Sequence, residues 1–423
     1  MNLELDILNI KEAQFGEKTA VSDSVLYIDR QELQELLAQD KRFSKVDIEL
    51  AHPGESCRVV HVFDVIEPRA RMEGTGENFP GILDGMKTVG EGRTRVLRGT
   101  AVVTIDYAIS WARGVVIDMS GPGDDMGLYG KLQNIVLLCH PADGLDRSGY
   151  QKALTVAAAK TSVYLAEASQ GLKADEVEVY NLGSLAESCK GMEHLPRVAY
   201  IYQINYLQHR VVADVPIFYG NNVANLLPTI VHPNEVLDGA IVQGQGAWTL
   251  ATYSVQNHPI IKELYRRHGK DLCFVGVVVT ASYMTAPERE RAAAMAAKLV
   301  KSVLGADGAI LTKIGGGAPT VDLGLTCEAC EELGVKTTVI VHDQSADGNS
   351  DGALLFSTPL ANAIVNVGSF DMLIALPAME RVIGGPMIFP GNRPADGEIN
   401  VLPYVLGGAV NVIGAARLMM REI

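Results

Sequence analysis

The chain lacks what most nucleic-acid-binding, membrane-spanning and disulfide-stapled proteins need. Phosphate neutralisation draws on clustered Lys and Arg. These 423 residues hold 36 Lys and Arg against 50 Asp and Glu, a formal net charge of -14, and show no basic cluster. A nucleic-acid surface is therefore not expected. A bilayer span takes roughly 20 consecutive apolar residues, and the longest apolar runs, such as Cys273 to Thr280 and Met372 to Leu376, fall far short. The first residues are acidic and mixed, without the basic, apolar and small-residue succession of a signal peptide. Together these absences predict a cytoplasmic protein. The cysteines Cys57, Cys139, Cys189, Cys273, Cys327 and Cys330 are scattered. A disulfide framework is not expected of so large a chain in that compartment, and most of them read as small buried hydrophobes.

What is present is a globular composition, 48% hydrophobic and 20% charged, with enough length for two to three domains. Up to residue 127, short β-prone runs alternate with Gly and Pro: Ser24 to Ile28, Val46 to Leu50, Val59 to Ile66, Arg95 to Ile105 and Val115 to Met119. Only Arg30 to Gln39 reads as a helix there, which predicts a β-rich domain over 1–127. From Leu132 the rhythm becomes strand, helix, strand. Asp146 is placed to cap a helix running to about Ser169, and Val177 to Tyr180 and Val198 to Ile204 follow as strands. The alternation then strengthens: Phe274 to Thr280, a helix near Pro287 to Val303, Ala309 to Thr312, a helix near Val321 to Leu333, Thr337 to His342 and Ile364 to Val367. Such alternation predicts parallel strands with crossover helices. The expected fold is α/β: the β-rich N-terminal domain, then α/β units over 128–235 and 236–423 with mainly parallel sheets.

Several segments have the composition of sites. Lys313-Ile314-Gly315-Gly316-Gly317-Ala318-Pro319-Thr320 lies between a strand end and a helix start, where free backbone N–H groups can hold a carboxylate. It matches neither the P-loop nor the dinucleotide fingerprint, and a plain tight turn is the competing reading. Cys327-Glu328-Ala329-Cys330 sits within a helical pattern rather than at a strand-to-helix turn, which favours core packing over redox chemistry; with no second such pair, a zinc site is not expected. Asp347-Gly348-Asn349-Ser350-Asp351-Gly352 imitates the start of an EF-hand loop, but its twelfth position is Thr358 rather than the bidentate Glu. No metal and no cofactor are expected. His209, His232 and His258 flank the segment around Asp238 and are candidate proton carriers, each weighed against an ordinary hydrogen-bonded role.

Asp238-Gly239-Ala240-Ile241-Val242-Gln243-Gly244-Gln245-Gly246-Ala247-Trp248 carries the most specific information. With Phe15-Gly16-Glu17-Lys18-Thr19, Pro53-Gly54-Glu55-Ser56, Val65-Ile66-Glu67-Pro68-Arg69, Val89-Gly90-Glu91-Gly92-Arg93-Thr94, Ile117 to Gly123, Tyr219-Gly220, Pro228-Thr229 and Phe274-Val275-Gly276-Val277, it resembles the component B proproteins of glycine, sarcosine and betaine reductases. In that family a cysteine after an Asp-Gly-Ala-Ile-Val run becomes the N-terminal pyruvoyl group of a new chain. Here the matching pair is Gln245-Gly246, and the segment is shorter than the family's. Glycine has no side-chain nucleophile, so the acyl shift that opens such a cleavage is not available to it. Thr249, Thr252 and Ser254 are nearby hydroxyls out of register. An uncleaved chain is therefore expected.

The resemblance implies a role in a reductase complex acting on a C–N bond of a small amino acid or N-methylated amine. Its partner would be a second subunit bearing selenocysteine or cysteine, and a homo- or hetero-oligomer is implied. His209 matches a histidine of the family pattern. The ligand site is expected at the carboxyl ends of the C-terminal strands. Gly315, Gly316, Gly317, Gly244, Gln245 and Gly246 would bind a small carboxylate or amine, with His209, Asp238, His342 and Asp343 as catalytic groups. A different class of role also fits the missing nucleophile: a processing-dead paralogue serving as scaffold or small-molecule binding module, or turned to hydrolytic chemistry.

Overall fold

A computed structural model describes residues 1–74, 76–108, 114–206, 215–244, 250–343, 358–388, 393–409, 412–414 and 421–422. The fold is α/β. Two four-stranded sheets form its N-terminal part. One runs Glu176–Asn181, Asn2–Asn9, Gly92–Arg98, Arg69–Glu73, and the other Phe43–Ala51, Gln133–Pro141, Thr100–Ile105, Val62–Ile66. Strands from either side of residue 127 thus share sheets.

Two of the long apolar runs are broken by backbone geometry. Val59 to Ile66 divides at His61, whose φ is +61°, so Cys57–Val60 pairs with Val116–Asp118 while Val62–Ile66 joins another sheet. Arg95 to Ile105 divides at Gly99, where φ is +90° and a Cβ would come within 2.3 Å of the Ile10 carbonyl oxygen. Only glycine accepts both constraints. Across these strands lies the Arg147–Glu167 helix, capped by the Asp146 carboxylate on the Gly149 N–H at 2.6 Å. Its buried face is rich in small residues, Ala153, Ala157, Ala158 and Ala166, which allows close approach to the sheets. Its Tyr150 hydroxyl donates to the Cys139 carbonyl at 2.6 Å.

The largest sheet has seven strands in the order Thr229–Val231, Cys273–Ser282, Arg197–Tyr206, Gly308–Thr312, Lys336–Asp343, Ala363–Ser369, Arg421–Glu422. The inner five are parallel and the two outer ones antiparallel. In chain order the parallel five lie 2-1-3-4-5, the doubly wound arrangement that opens a crevice where the chain switches sides of its first strand. Cys273–Ser282 is buried along its whole length, with Phe274, Val277 and Val279 in one core and Val275 and Val278 in another. The second core is closed by the Ala286–Lys298 and Ala318–Glu332 helices, which pack on each other. Thr285 and Glu288 form the expected capping box on the first of them.

Cys57, Cys139, Cys327 and Cys330 are buried free thiols. Cys327 and Cys330 lie in the second core, and burial pushes the Cys330 thiol up to about 12. Against the expectation of no disulfides, Cys189 and Cys273 are bridged, with Cα atoms 5.7 Å apart. No described helix is long and apolar enough to cross a membrane.

Candidate functional site

Polar side chains in the interior gather at the carboxyl ends of the parallel strands, beside the switch point. Gln203 and Asn205 stand near the end of Arg197–Tyr206, Thr312 and Lys313 at and just beyond the end of Gly308–Thr312, and His342 near the end of Lys336–Asp343; all five are buried. Lys313 is the most unusual of them. Its side chain turns inward, and its Nζ donates to the Gly315 carbonyl at 2.5 Å and lies 3.5 Å from His342 Nδ1. Among the described residues no carboxylate pairs with it. Burying an ammonium without a counter-charge is costly, and burial lowers the Lys313 pKa to about 7. His342 stacks on Phe370, ring centroids 3.4 Å apart at 14°. Burial, with Lys313 beside it, lowers its pKa to about 2, so the ring is neutral at physiological pH.

The glycine turn is built around this lysine. The Ile314 N–H donates to Gln203 Oε1 at 3.3 Å. Gly315 and Gly317 hold φ of +73° and +71°, values that a side chain would resist. Gly317 is the N-cap of Ala318–Glu332 and offers no capping side chain, so the positive end of that helix opens onto the turn. On the other flank, Gln243 donates from Nε2 to the Ile204 carbonyl at 2.5 Å. The chain around Gln243 and the glycine turn therefore bracket the end of one strand.

A second polar group lies where Gln243 leads toward the segment around Gly246. The Gln243 N–H donates to Thr252 Oγ1 at 2.8 Å, and that hydroxyl donates to Asp64 Oδ2 at 2.6 Å. Asp64 Oδ1 accepts the Thr252 and Val65 N–H groups at 2.9 and 2.8 Å. Burial raises the Asp64 carboxyl to about 6 in spite of these donors. Ser254 shares a hydrogen bond of 2.9 Å with the Tyr129 hydroxyl. Both described hydroxyls near the segment are thus already engaged. At Gly244 a Cβ would meet the Phe63 ring at 2.9 Å and Thr155 Oγ1 at 3.0 Å, so glycine is dictated there by packing.

Of the residues singled out in the sequence, Gly315 and His342 are brought together through Lys313. Gly316 is half-buried and Gly317 exposed in the same turn. Asp343 ends its strand, its backbone paired with Ser369. His209, Gln245, Gly246 and the Asp347 to Gly352 loop lie outside the described residues. Asp238 is held elsewhere: its carboxylate pairs with Arg71 and accepts the Gly90 N–H at 2.7 Å and the Thr94 hydroxyl at 2.8 Å. His232 caps the Pro233–Leu237 helix through Nδ1 and places Nε2 3.1 Å from the Gly183 carbonyl. His258 is enclosed by Tyr200 and Tyr202, with Nε2 3.2 Å from the Tyr200 hydroxyl. Sequence reasoning quoted Lys313 as part of the glycine run without giving it a role. The available signal was a lysine directly after an apolar strand, at the edge where α/β sheets bind ligands.

A family model for glycine/sarcosine/betaine reductase component B subunits matches residues 1–394. The chain belongs to this family. It is 37% identical over 426 residues to the glycine reductase complex component B subunits alpha and beta of Acetoanaerobium sticklandii, covering 98% of each chain. It is 38% identical over 387 residues to a sarcosine reductase complex component B subunit alpha of Peptoclostridium acidaminophilum, covering 91% of this chain and 89% of that one. To the betaine reductase complex component B subunit alpha of the same organism it is 33% identical over 446 residues, with both chains fully covered. No solved structure matches the chain. The component B resemblance thus extends through both N-terminal sheets and the parallel sheet alike.

Proposed function

We propose that this chain is an uncleaved component B-like subunit of a glycine/sarcosine/betaine-type reductase complex. It would serve reductive C–N cleavage of a small amino acid or N-methylated amine without a pyruvoyl group. The reading is carried by Gly246, which we match to the family's processing cysteine. Cleavage of this kind starts with a side-chain nucleophile attacking the preceding carbonyl. Glycine supplies none, and the Thr252 and Ser254 hydroxyls are engaged with Asp64 and Tyr129. A quaternary amine such as betaine forms no Schiff base, so its capture does not call for a carbonyl group.

The crevice supports a choice of site residues. The glycine turn and the N-terminus of Ala318–Glu332 hold a carboxylate, and Lys313 and His342 face its other end. Asp343 is assigned to the same site from its place at a strand end and His209 from the resemblance alone, whereas the Asp238 carboxylate clamps chain segments. The partner is a subunit bearing selenocysteine or cysteine, since none of the described free thiols here is exposed. Denaturing mass spectrometry of protein from its native host tests the reading, together with identification of co-purifying chains. One intact chain of 45.4 kDa, recovered with a redox-active subunit, is expected. Two fragments divided near Gln245, or a carbonyl reagent labelling a new N-terminus, would overturn the uncleaved state. A chain recovered with no reductase subunit would point to the scaffold or hydrolytic role instead.

A further inference from the structure

We propose that Lys313 is a reactive amine that captures the carbonyl carbon of an α-oxo acid as an imine, with the acid's carboxylate on the N-terminus of the Ala318–Glu332 helix. This goes beyond the reductase-subunit reading and does not rest on it.

Two independent features converge at the place. The first is the lysine itself, 3% exposed, at the crevice of the doubly wound sheet, with one backbone carbonyl and one neutral imidazole as its polar neighbours. A buried salt-bridging lysine would have a carboxylate within reach, and a snorkelling one would place its Nζ in water. Lys313 does neither among the described residues. The second is the uncapped end of a helix of 15 residues, approached through a turn whose two left-handed glycines keep side chains off the backbone. The helix dipole disfavours a positive charge at that end and favours an anion. Burial lowers the amine's pKa, and the helix end beside it favours the carboxylate.

The chemistry balances without any redox partner. The amine lone pair attacks the carbonyl carbon, forming the C–N bond while the C=O π pair takes up a proton. The proton that the new ammonium gives up supplies that oxygen, so the carbinolamine forms with no net proton change, and His342 Nδ1, 3.5 Å from Nζ, stays a neutral neighbour. Loss of water from the carbinolamine then gives the imine, so the net change is one water released. Lysines made nucleophilic by desolvation act in this way. With its pKa lowered to about 7, the amine is about half neutral at that pH, roughly a thousandfold more than an ordinary lysine.

The test treats the whole wild-type protein with glyoxylate and cyanoborohydride at neutral pH and locates carboxymethylated lysines by peptide mapping. Labelling of Lys313 is expected to exceed that of an exposed lysine such as Lys336 by at least about tenfold. Absence of label from Lys313, or label no greater than on the exposed lysines, would overturn the proposal. Acetaldehyde, a carbonyl without the acid group, is expected to label Lys313 several-fold less. Equal labelling would remove the carboxylate from the helix terminus. Because mapping uses the unaltered chain, no variant has to fold. An adduct and a failure of the intact-mass test remain separately readable.

Discussion

Lys313 shows how a single side chain can be plain in sequence and silent about its role. The residues Lys313 to Thr320 announce a turn before a helix, and that much is legible from the glycines and Pro319 alone. That the lysine turns inward depends on the sheet order, which places His342 of one strand and Gln203 of another around it. No local pattern contains that information. The same burial has a thermodynamic sign. An unfolded lysine binds its proton up to about pH 10.5, whereas the folded one releases it near 7. The folded state therefore carries the cost of the buried charge in full below pH 7 and sheds it as pH rises toward 10.5. Lys313→Met is expected to raise stability by about 2 kcal/mol at about pH 6, after loss of the Gly315 contact, with the gain vanishing toward pH 10. Urea unfolding of both proteins across that range checks it; a variant that is equally or less stable at pH 6 would show the ammonium well solvated. A cysteine placed at Gly246 is a second residue-scale test, of the proposed uncleaved state. Gly246→Cys is expected to yield little or no cleavage by mass spectrometry, because self-cleavage also needs oriented proton donors and the nearby Thr252 hydroxyl is committed to Asp64. Efficient cleavage in that single variant would show the processing geometry intact.

Elements were legible where a capping residue or an unbroken apolar run marked them. The Arg147–Glu167 helix, the capped Ala286–Lys298 helix and the five parallel strands fall where Asp146, Thr285 and the apolar runs put them. Sequence reasoning went wrong at the joints. His61 and Gly99 divide two runs that read as continuous, and the decision belongs to Ile10 and to the neighbouring sheets rather than to the run itself. The short Pro233–Leu237 helix went unread for a related reason: it is held by tertiary bonds. Its C-cap Asp238 ties it to Arg71, the Gly90 turn and Thr94, while Asn234 donates to the Gly90 and Tyr180 carbonyls at 3.0 Å each. Asp238 had looked catalytic because it opens the processing-like segment. Asp238→Ala should therefore act on stability, leaving the buried Arg71 guanidinium without its carboxylate at a cost of about 3 kcal/mol or more. Thermal unfolding read beside ligand binding separates the two roles: lost binding at unchanged stability would return Asp238 to the site.

Across the whole molecule, buried neutral groups set the response to acid. His232, His258 and His342 are lowered to about 4, 3 and 2, in each case chiefly by burial. An unfolded imidazole takes up its proton near 6.5, so below that pH the unfolded chain binds protons that the folded chain refuses. Each histidine thus contributes stability that is present above 6.5 and lost as pH falls. Asp64 has the opposite sign: raised to about 6, it binds a proton in the folded state first and offsets one histidine between about pH 6 and 4. Taken over these four groups alone, the difference of two protons corresponds to a slope of roughly 2–3 kcal/mol per pH unit over that interval. Glu178, lowered to about 2 beside Lys262, Tyr180 and Arg98 in opposition to its own burial, adds to the loss below pH 4.5. These groups lie in different parts of the fold: His232 on the helix leading to Asp238, His258 between two strand tyrosines, His342 in the proposed site. The chain should therefore lose stability steadily from about pH 6 downward and unfold well before its exposed carboxylates are all protonated. Urea midpoints measured from about pH 7 to 4 give the slope directly, and a flat profile over that range would mean that these imidazoles titrate freely in the folded chain.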